Sequence, residues 1–215
     1  MIILKNITKH YEKAVFKNFS LNIDEGITTA IMGKSGCGKT TLFNMLCKTS
    51  LPDSGEIKLP KNQKISVVFQ ENRLFTSFTG YENLAAVCSD NNKIKSVLNI
   101  CEAEDFAQTK VKNMSGGMAR RIAIARSLLP ENRIILMDEP FKGIDTAMRD
   151  RILLKLKQYL CKKTCVIITH DTYEAANIAQ KAVILGGSPA NVVFECICND
   201  IQKTKSLLDS EIIKL

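Results

Sequence analysis

A glycine-rich loop lies between two apolar segments near the start of this 215-residue chain. The β-branched residues at 27–32 predict a strand, and the apolar spacing at 40–47 predicts a helix. Between them, residues 33–40 read Gly-Lys-Ser-Gly-Cys-Gly-Lys-Thr. Glycines let successive backbone N–H groups face one point, to which the following helix also directs its N-terminal dipole. The pattern predicts a phosphate-binding loop, with Lys39 reaching the β- and γ-phosphates and the Thr40 hydroxyl ligating Mg²⁺.

Two acidic residues follow a second apolar segment. Residues 134–137 read Ile-Ile-Leu-Met and predict a buried strand, which Asp138 and Glu139 follow directly. Ligands gather at the carboxyl ends of parallel strands, so these carboxylates can face the glycine loop. Asp138 suits the coordination shell of Mg²⁺, and Glu139 suits a general base that polarises water. An apolar segment ending in two acids is a weak signal alone and a strong one together with the loop.

A serine and two glycines precede a third candidate element. Ser115 can cap a helix over 118–129, and Gly116 and Gly117 leave the first N–H groups of that helix open. This arrangement forms a second anion site in one interpretation and an ordinary helix start in the other. The local sequence is compatible with both interpretations.

Strand and helix patterns alternate along most of the chain. The first sixty residues are β-rich, and after residue 115 buried strands alternate with amphipathic helices, which predicts parallel crossovers in a layered α/β core. Residues 71–113 read instead as helical segments with polar breaks, so we expect a helical insertion there.

Composition excludes several classes of protein. No apolar run approaches the roughly 20 residues that a membrane-spanning helix needs, and the N-terminus lacks a signal-peptide pattern, which predicts a soluble intracellular chain. The net charge of +8 comes mostly from scattered lysines, so nucleic acid is not an expected partner. The eight cysteines include no CxxC pair, and we expect all of them to be reduced.

In their order along the chain, these motifs resemble those of the ATP-binding subunit of an ABC transporter, over about residues 1–195. Residues 33–40 match its Walker A motif, residues 134–139 its Walker B motif and residues 115–117 its signature, although Met118 stands where the signature usually has glutamine. Four single residues also match the family: Gln70 its Q-loop glutamine, His170 its switch histidine, Tyr11 the aromatic residue that stacks on adenine, and Asp145 the D-loop aspartate.

The resemblance implies roles for these positions. The implied catalytic residues are Glu139, His170, Gln70 and Lys39, and the implied Mg²⁺ ligands are Thr40, Gln70 and Asp138. The implied ATP-binding residues are Tyr11, Gly33, Lys34, Ser35, Gly36, Cys37, Gly38, Lys39, Thr40, Thr41, Ser115, Gly116, Gly117 and Asp145.

The implied fold is α/β: a P-loop NTPase core of mainly parallel strands with an N-terminal antiparallel β region. In this single domain of residues 1–215, a helical subdomain at 71–113 is inserted between 1–70 and 114–215. Apolar residues in the insertion, among them Leu74, Phe75 and Phe78, form either a docking patch for a membrane partner or a small local core.

The implied activity is hydrolysis of ATP to ADP and phosphate, with ATP and Mg²⁺ bound between two copies of the chain arranged head to tail. The implied partners are a separate integral-membrane permease, on whose cytoplasmic side the chain would sit, and a solute-binding protein that acts with it. Residues 71–75 and 186–190 look most like importers of the nitrate, sulfonate and thiamine-precursor type. The alternatives are a non-transport ABC ATPase that regulates a membrane or cell-wall complex, a P-loop kinase and a nucleic-acid ATPase.

Overall fold

The computed structural model describes residues 1–60, 63–130 and 132–215, and these form two β-sheets with helices packed on them. The strands are β1 (Ile2–His10), β2 (Ala14–Ile23), β3 (Thr28–Gly33), β4 (Ser54–Lys58), β5 (Ile65–Val68), β6 (Ile134–Asp138), β7 (Thr164–Ile168), β8 (Lys181–Gly186) and β9 (Asn191–Ile197). The helices are α1 (Lys39–Leu46), α2 (Gly80–Ala85), α3 (Asn91–Ile100), α4 (Gly116–Leu128), α5 (Thr146–Tyr159), α6 (Thr172–Ile178) and α7 (Ile201–Ile213), with a 3₁₀ turn at Val111–Asn113.

The two sheets differ in strand direction. The smaller sheet has the order β2-β1-β4 and is antiparallel throughout. The larger sheet has the order β5-β6-β7-β3-β8-β9 and is parallel except for β9, which runs antiparallel to β8. These sheets confirm the α/β fold predicted from the sequence, with its antiparallel N-terminal region.

The central strands of the larger sheet are buried on both faces, as expected for parallel strands covered by other layers. In β6, Ile134 and Leu136 face an apolar cluster shared with the smaller sheet and α1. Ile135 and Met137 face the opposite cluster, which contains side chains of α3, α4 and α5. Packing on both faces holds β6 in place, and with it the carboxyl end of the strand, where the polar residues of the candidate site lie.

The helices of residues 71–113 pack on the same core as the larger sheet. Leu84 of α2 and Ile94 of α3 belong to the cluster that includes Met137, and both helices contact α4. The division of the chain into a core and a helical subdomain remains a prediction.

The apolar residues of this region separate into two environments. Leu74 packs against the buried cluster, as the local-core interpretation expects. Phe75 and Phe78 are 56% and 43% exposed, and their ring centroids lie 5.4 Å apart. An exposed aromatic pair therefore remains on the surface. Within the described residues, the helices are too short or too polar to cross a bilayer.

Candidate nucleotide-binding site

The glycine loop connects the end of β3 to the start of α1 and depends on glycine where the chain turns. Gly38, the N-cap residue of α1, has φ +97°, a conformation that residues with a side chain rarely adopt. A Cβ atom there would lie 2.7 Å from Cγ1 of Val15. The loop is thus held tightly against β2, with its N–H groups at the start of a helix.

Lys39 closes the loop on itself. Its ammonium Nζ donates to the carbonyl oxygens of Gly33 (2.6 Å) and Lys34 (2.9 Å), and lies 3.9 Å from Sγ of Cys37. The positive charge therefore sits at the centre of the loop, where an anion bound by the loop N–H groups would meet it.

The end of β6 carries Asp138 and Glu139 toward the same place. Asp138 is only 5% exposed, and burial together with Glu139 raises the pKa of its carboxyl group, while Arg120, Lys39 and Lys142 oppose that rise. Glu139 has φ +46°, in the left-handed region that is strained for residues other than glycine. Its N–H donates to the carbonyl of Ile168 on β7 at 2.9 Å, so the chain turns sharply where the sheet ends.

Glu139 and His170 form a polar pair across neighbouring strand ends. Nδ1 of His170 lies 2.8 Å from Oε2 and 2.9 Å from Oε1 of Glu139. An ionised carboxylate only accepts hydrogen bonds, so with Glu139 charged the proton lies on Nδ1. The His170 side chain is 73% exposed, whereas that of Glu139 is only 15% exposed, so the imidazole is the more accessible member of the pair.

One cavity of about 450 Å³ brings most of the sequence-predicted residues together. Ten of them line it: Ser35, Gly36, Gly38, Lys39, Thr40, Thr41, Gln70, Asp138, Glu139 and His170. Val15, Lys142 and Ile168 complete its wall. The glycine loop and the two acids at the end of β6 thus meet at the carboxyl edge of the sheet, as the strand pattern predicted, and Gln70 and His170 line the same cavity.

A second cavity, of about 840 Å³, contains the serine–glycine motif. Ser115, Gly116, Gly117 and Asp145 line it, and Gln70 lines both cavities. Oγ of Ser115 accepts the N–H of Met118 at 3.2 Å, so the predicted N-cap of α4 is confirmed. Asp145 caps α5 in the same way, accepting from Met148 at 3.0 Å.

The remaining predicted residues lie outside both cavities. Gly33, Lys34 and Cys37 contact the Lys39 ammonium group within the loop. Tyr11 is 60% exposed, with Nζ of Lys9 5.5 Å from its ring centroid. Most of its side chain is therefore accessible from solvent, with an ammonium group over one face of the ring.

The donor set of the first cavity fits Mg²⁺. Thr40, Gln70 and Asp138 present a hydroxyl, an amide and a carboxylate, all of them oxygen donors of the kind that this hard cation prefers. The described residues include no cluster of three or more His, Cys, Asp or Glu side chains that could cage a metal alone. A cation held by one carboxylate and by substrate phosphates is consistent with this arrangement.

Two buried ionisable residues near the site, Arg120 and Glu174, were not predicted from the sequence. Arg120 of α4 is 2% exposed, and burial lowers the pKa of its guanidinium. Glu174 of α6 is 6% exposed, and burial raises the pKa of its carboxyl group to about 7. Arg120 shares its buried face of α4 with Ala123, Ile124 and Ser127, and nothing in the local sequence distinguishes it from the neighbouring Arg121.

Comparison with known proteins gives consistent relatives. The family model described as "ABC transporter" matches residues 16–142. The spermidine/putrescine import ATP-binding protein PotA of Spiroplasma citri is 32% identical over 89% of this chain and 63% of its own length. The putrescine transport ATP-binding protein PotG of Escherichia coli K12 is 32% identical over 86% and 54%. The aliphatic sulfonates import ATP-binding protein SsuB of Bacillus cereus is 31% identical over 89% and 83%.

The chain therefore spans about six tenths of the length of the polyamine-importer relatives and most of the length of the sulfonate-importer relative. Two solved structures of the cassette MJ0796 match 93% of this chain at 30% identity. One is a dimeric bacterial ABC transporter cassette, with a TM-score of 0.82. The other is a dimeric post-hydrolysis state bound to ADP and Pi, with a TM-score of 0.80. The chain belongs to the family of ABC transporter ATP-binding proteins.

Proposed function

We propose that this chain hydrolyses ATP to ADP and phosphate as the motor subunit of an ABC importer. Two copies would bind ATP and Mg²⁺ between them, and the dimer would drive a separate integral-membrane permease from its cytoplasmic face. A solute-binding protein would deliver the solute to that permease.

One observation carries the proposal: Lys39 and most of the glycine loop line the same cavity as Asp138 and the Glu139–His170 pair. The loop N–H groups and Lys39 suit the phosphate chain of ATP, and Mg²⁺, held by Thr40, Asp138 and Gln70, would neutralise charge on the β- and γ-phosphates. The residues that cradle phosphate and those that can handle a proton are thus on one surface.

The pair of Glu139 and His170 suggests how water is activated. The Glu139 carboxylate can accept a proton from water as the water oxygen bonds to the γ-phosphorus and the bond to the bridging oxygen of ADP breaks. The Nδ1–H bond to Glu139 orients the imidazole beside that carboxylate, and a ring protonated on both nitrogens would also donate from Nε2 to the γ-phosphate. Lys39 stabilises negative charge on the same group.

The position of the serine–glycine motif supports a shared site. Ser115 and its glycines line the second cavity and not the one that contains Lys39. In a two-fold dimer, each such motif can cover the ATP held by the glycine loop of the partner, and two equivalent sites result. The N-terminus of α4 would then present its open N–H groups to the γ-phosphate from the other side.

The importer role follows from the relatives, whose names include both polyamine and aliphatic sulfonate import. The sulfonate type expected from the sequence is thus among them, at nearly the same identity as the polyamine type. The exposed pair of Phe75 and Phe78 is a candidate contact for the permease.

The test is release of free phosphate from ATP by the purified chain, with and without Mg²⁺. We expect Mg²⁺-dependent turnover that needs no phosphate acceptor and no nucleic acid. Phosphate transfer to an acceptor without hydrolysis would contradict the proposal in favour of a kinase, and stimulation by DNA or RNA strands would favour a nucleic-acid ATPase.

Co-purification of the tagged chain from membranes tests the transport role. A multi-span permease in the complex supports an importer. A complex that contains only enzymes or regulators of the cell wall would support the non-transport alternative.

A further inference from the structure

Arg120 lies inside the protein, where the two segments that flank the first cavity approach each other. It is the fifth residue of α4, the helix that Ser115 caps, and its side chain is 2% exposed. A fully charged side chain is rarely this buried unless hydrogen bonds satisfy it. The contacts of its guanidinium group therefore indicate its role.

The guanidinium group contacts both segments at once. On one side it donates to the carbonyl oxygens of Phe69 and Gln70 and to the side-chain oxygen of Asn72. On the other side it donates to the main-chain carbonyls of Asp138 (2.6 Å), Glu139 (2.8 Å) and Pro140 (2.9 Å).

All of these acceptors are neutral carbonyl oxygens. Among the ion pairs of the described residues, none joins Arg120 to a carboxylate. The five N–H donors of an arginine form a rigid planar fork, which suits fixing the distance between two backbone segments. Lysine cannot reproduce that geometry, because its three donors radiate from one atom.

The segment held on the second side includes a strained residue. Glu139 has φ +46°, and a non-glycine residue keeps such a conformation only where its surroundings enforce it. The bond from Arg120 to the Glu139 carbonyl, together with the bond from the Glu139 N–H to Ile168, provides that constraint. The direction of the Glu139 carboxylate depends on both.

We propose that Arg120 is a positioning residue that clamps the Gln70 segment to the Asp138–Pro140 segment, so that any movement of α4 displaces both together. The inference rests on the proposed ATP hydrolysis, because it assigns the clamp to the timing of that reaction. The serine–glycine motif begins the same helix, so engagement of that motif by a nucleotide would reach Gln70 and Glu139 through Arg120.

The test compares Arg120→Gln and Arg120→Lys with a control on the same helix. Arg126 donates to the carbonyl of Arg73 at 2.7 Å and lies 3.5 Å from that of Asn72, without contact to residues 138–140. Arg126→Gln therefore removes an arginine that holds only one of the two segments.

We expect both Arg120 variants to lose kcat by about 100-fold, since a shift of about 1 Å in a catalytic group costs that much. KM for ATP should change by less than about threefold, because the glycine loop does not contact Arg120. Arg126→Gln should keep kcat within about threefold. In hydrogen exchange, backbone amides at 69–72 and 138–141 should exchange faster in the Arg120 variants, while those at 33–40 stay unchanged.

Three results would overturn the clamp. The first is unchanged kcat in Arg120→Gln beside an active wild type. The second is faster exchange throughout the chain with kcat and KM altered together, which indicates general loosening. The third is failure of both Arg120 variants to fold, which makes Arg120 a core residue only. If the wild type itself does not hydrolyse ATP, the proposed function fails. Hydrogen exchange still tests the clamp in that case, because faster exchange confined to residues 69–72 and 138–141 in the Arg120 variants would support it.

Discussion

Glu174 should make the stability of this protein fall as the pH rises through neutrality. The Glu174 side chain, in α6, is buried and accepts a hydrogen bond from Oγ1 of Thr169, the residue before His170, at 2.6 Å. Burial is the largest cause of its raised pKa, to which Asp171 and Glu139 add, while the Thr169 bond and Arg149 oppose it. The folded protein therefore keeps this proton to a higher pH than the unfolded chain does.

The sign and size of the effect follow from linkage. The pKa is about 7 in the folded protein against an ordinary value of 4.5, so the folded state holds a proton that the unfolded chain has released. Its contribution to stability is complete below about pH 4.5 and is lost as the pH rises through about 7. A pKa difference of one unit corresponds to about 1.4 kcal/mol, so Glu174 contributes about 3 kcal/mol of pH-dependent free energy of unfolding.

The perturbation is Glu174→Gln, which keeps the shape and the acceptor for Thr169 but has no charge to bury. Urea unfolding at about pH 5 and about pH 8 gives the difference in free energy between variant and wild type. Relative to the wild type, the variant should be more stable at about pH 8 than at about pH 5 by roughly 2 to 3 kcal/mol.

Glu195→Gln is the matched control. The Glu195 side chain is 53% exposed and pairs with Lys181 at 2.9 Å, so its replacement should give nearly the same difference at both pH values. A pH-independent difference for Glu174→Gln as well would refute the reasoning, since it would show that Glu174 is charged in the folded protein at both.

Three further outcomes are expected. Gly38→Ala should lower the free energy of unfolding by about 2 to 5 kcal/mol, because alanine would be strained at this φ and its Cβ would lie against Val15. Gly36→Ala leaves open space around the new Cβ and should cost only about 1 to 2 kcal/mol. Equal losses for the two variants in urea unfolding would contradict this difference. Lys39→Ala should lose ATP affinity by calorimetry while remaining folded, and unchanged binding would count against the loop as the phosphate site. Ser115→Ala should cost about 1 kcal/mol of stability through its lost cap, and no change in thermal unfolding would argue against that cap.

Much of the fold could be read from the sequence because the signals are local. The strand at 134–138 is apolar up to its last residue, Asp138, and the helix after Asp145 has its cap and its apolar face in sequence. The glycine loop and the acids after β6 met in one cavity because parallel strands end on the same edge.

Other features depend on contacts between distant parts of the chain. Arg120 holds segments about 20 and 50 residues away, and in the sequence it is simply one of the three arginines of its helix. The raised pKa of Glu174 likewise depends on how tightly α6 packs. The contact between Glu139 and His170 joins residues 31 apart, which only the pairing of β6 with β7 brings together.

The central claim is that ATP is held between two copies of this chain and hydrolysed with Glu139 as base. Light scattering of Glu139→Gln with ATP and Mg²⁺ tests it most directly. We expect the mass to rise from the 23.9 kDa of one chain to twice that value, with no phosphate released, and Ser115→Arg in the same chain to keep it monomeric. A Glu139→Gln protein that stays monomeric in saturating ATP, or that turns ATP over at the wild-type rate, would contradict the account.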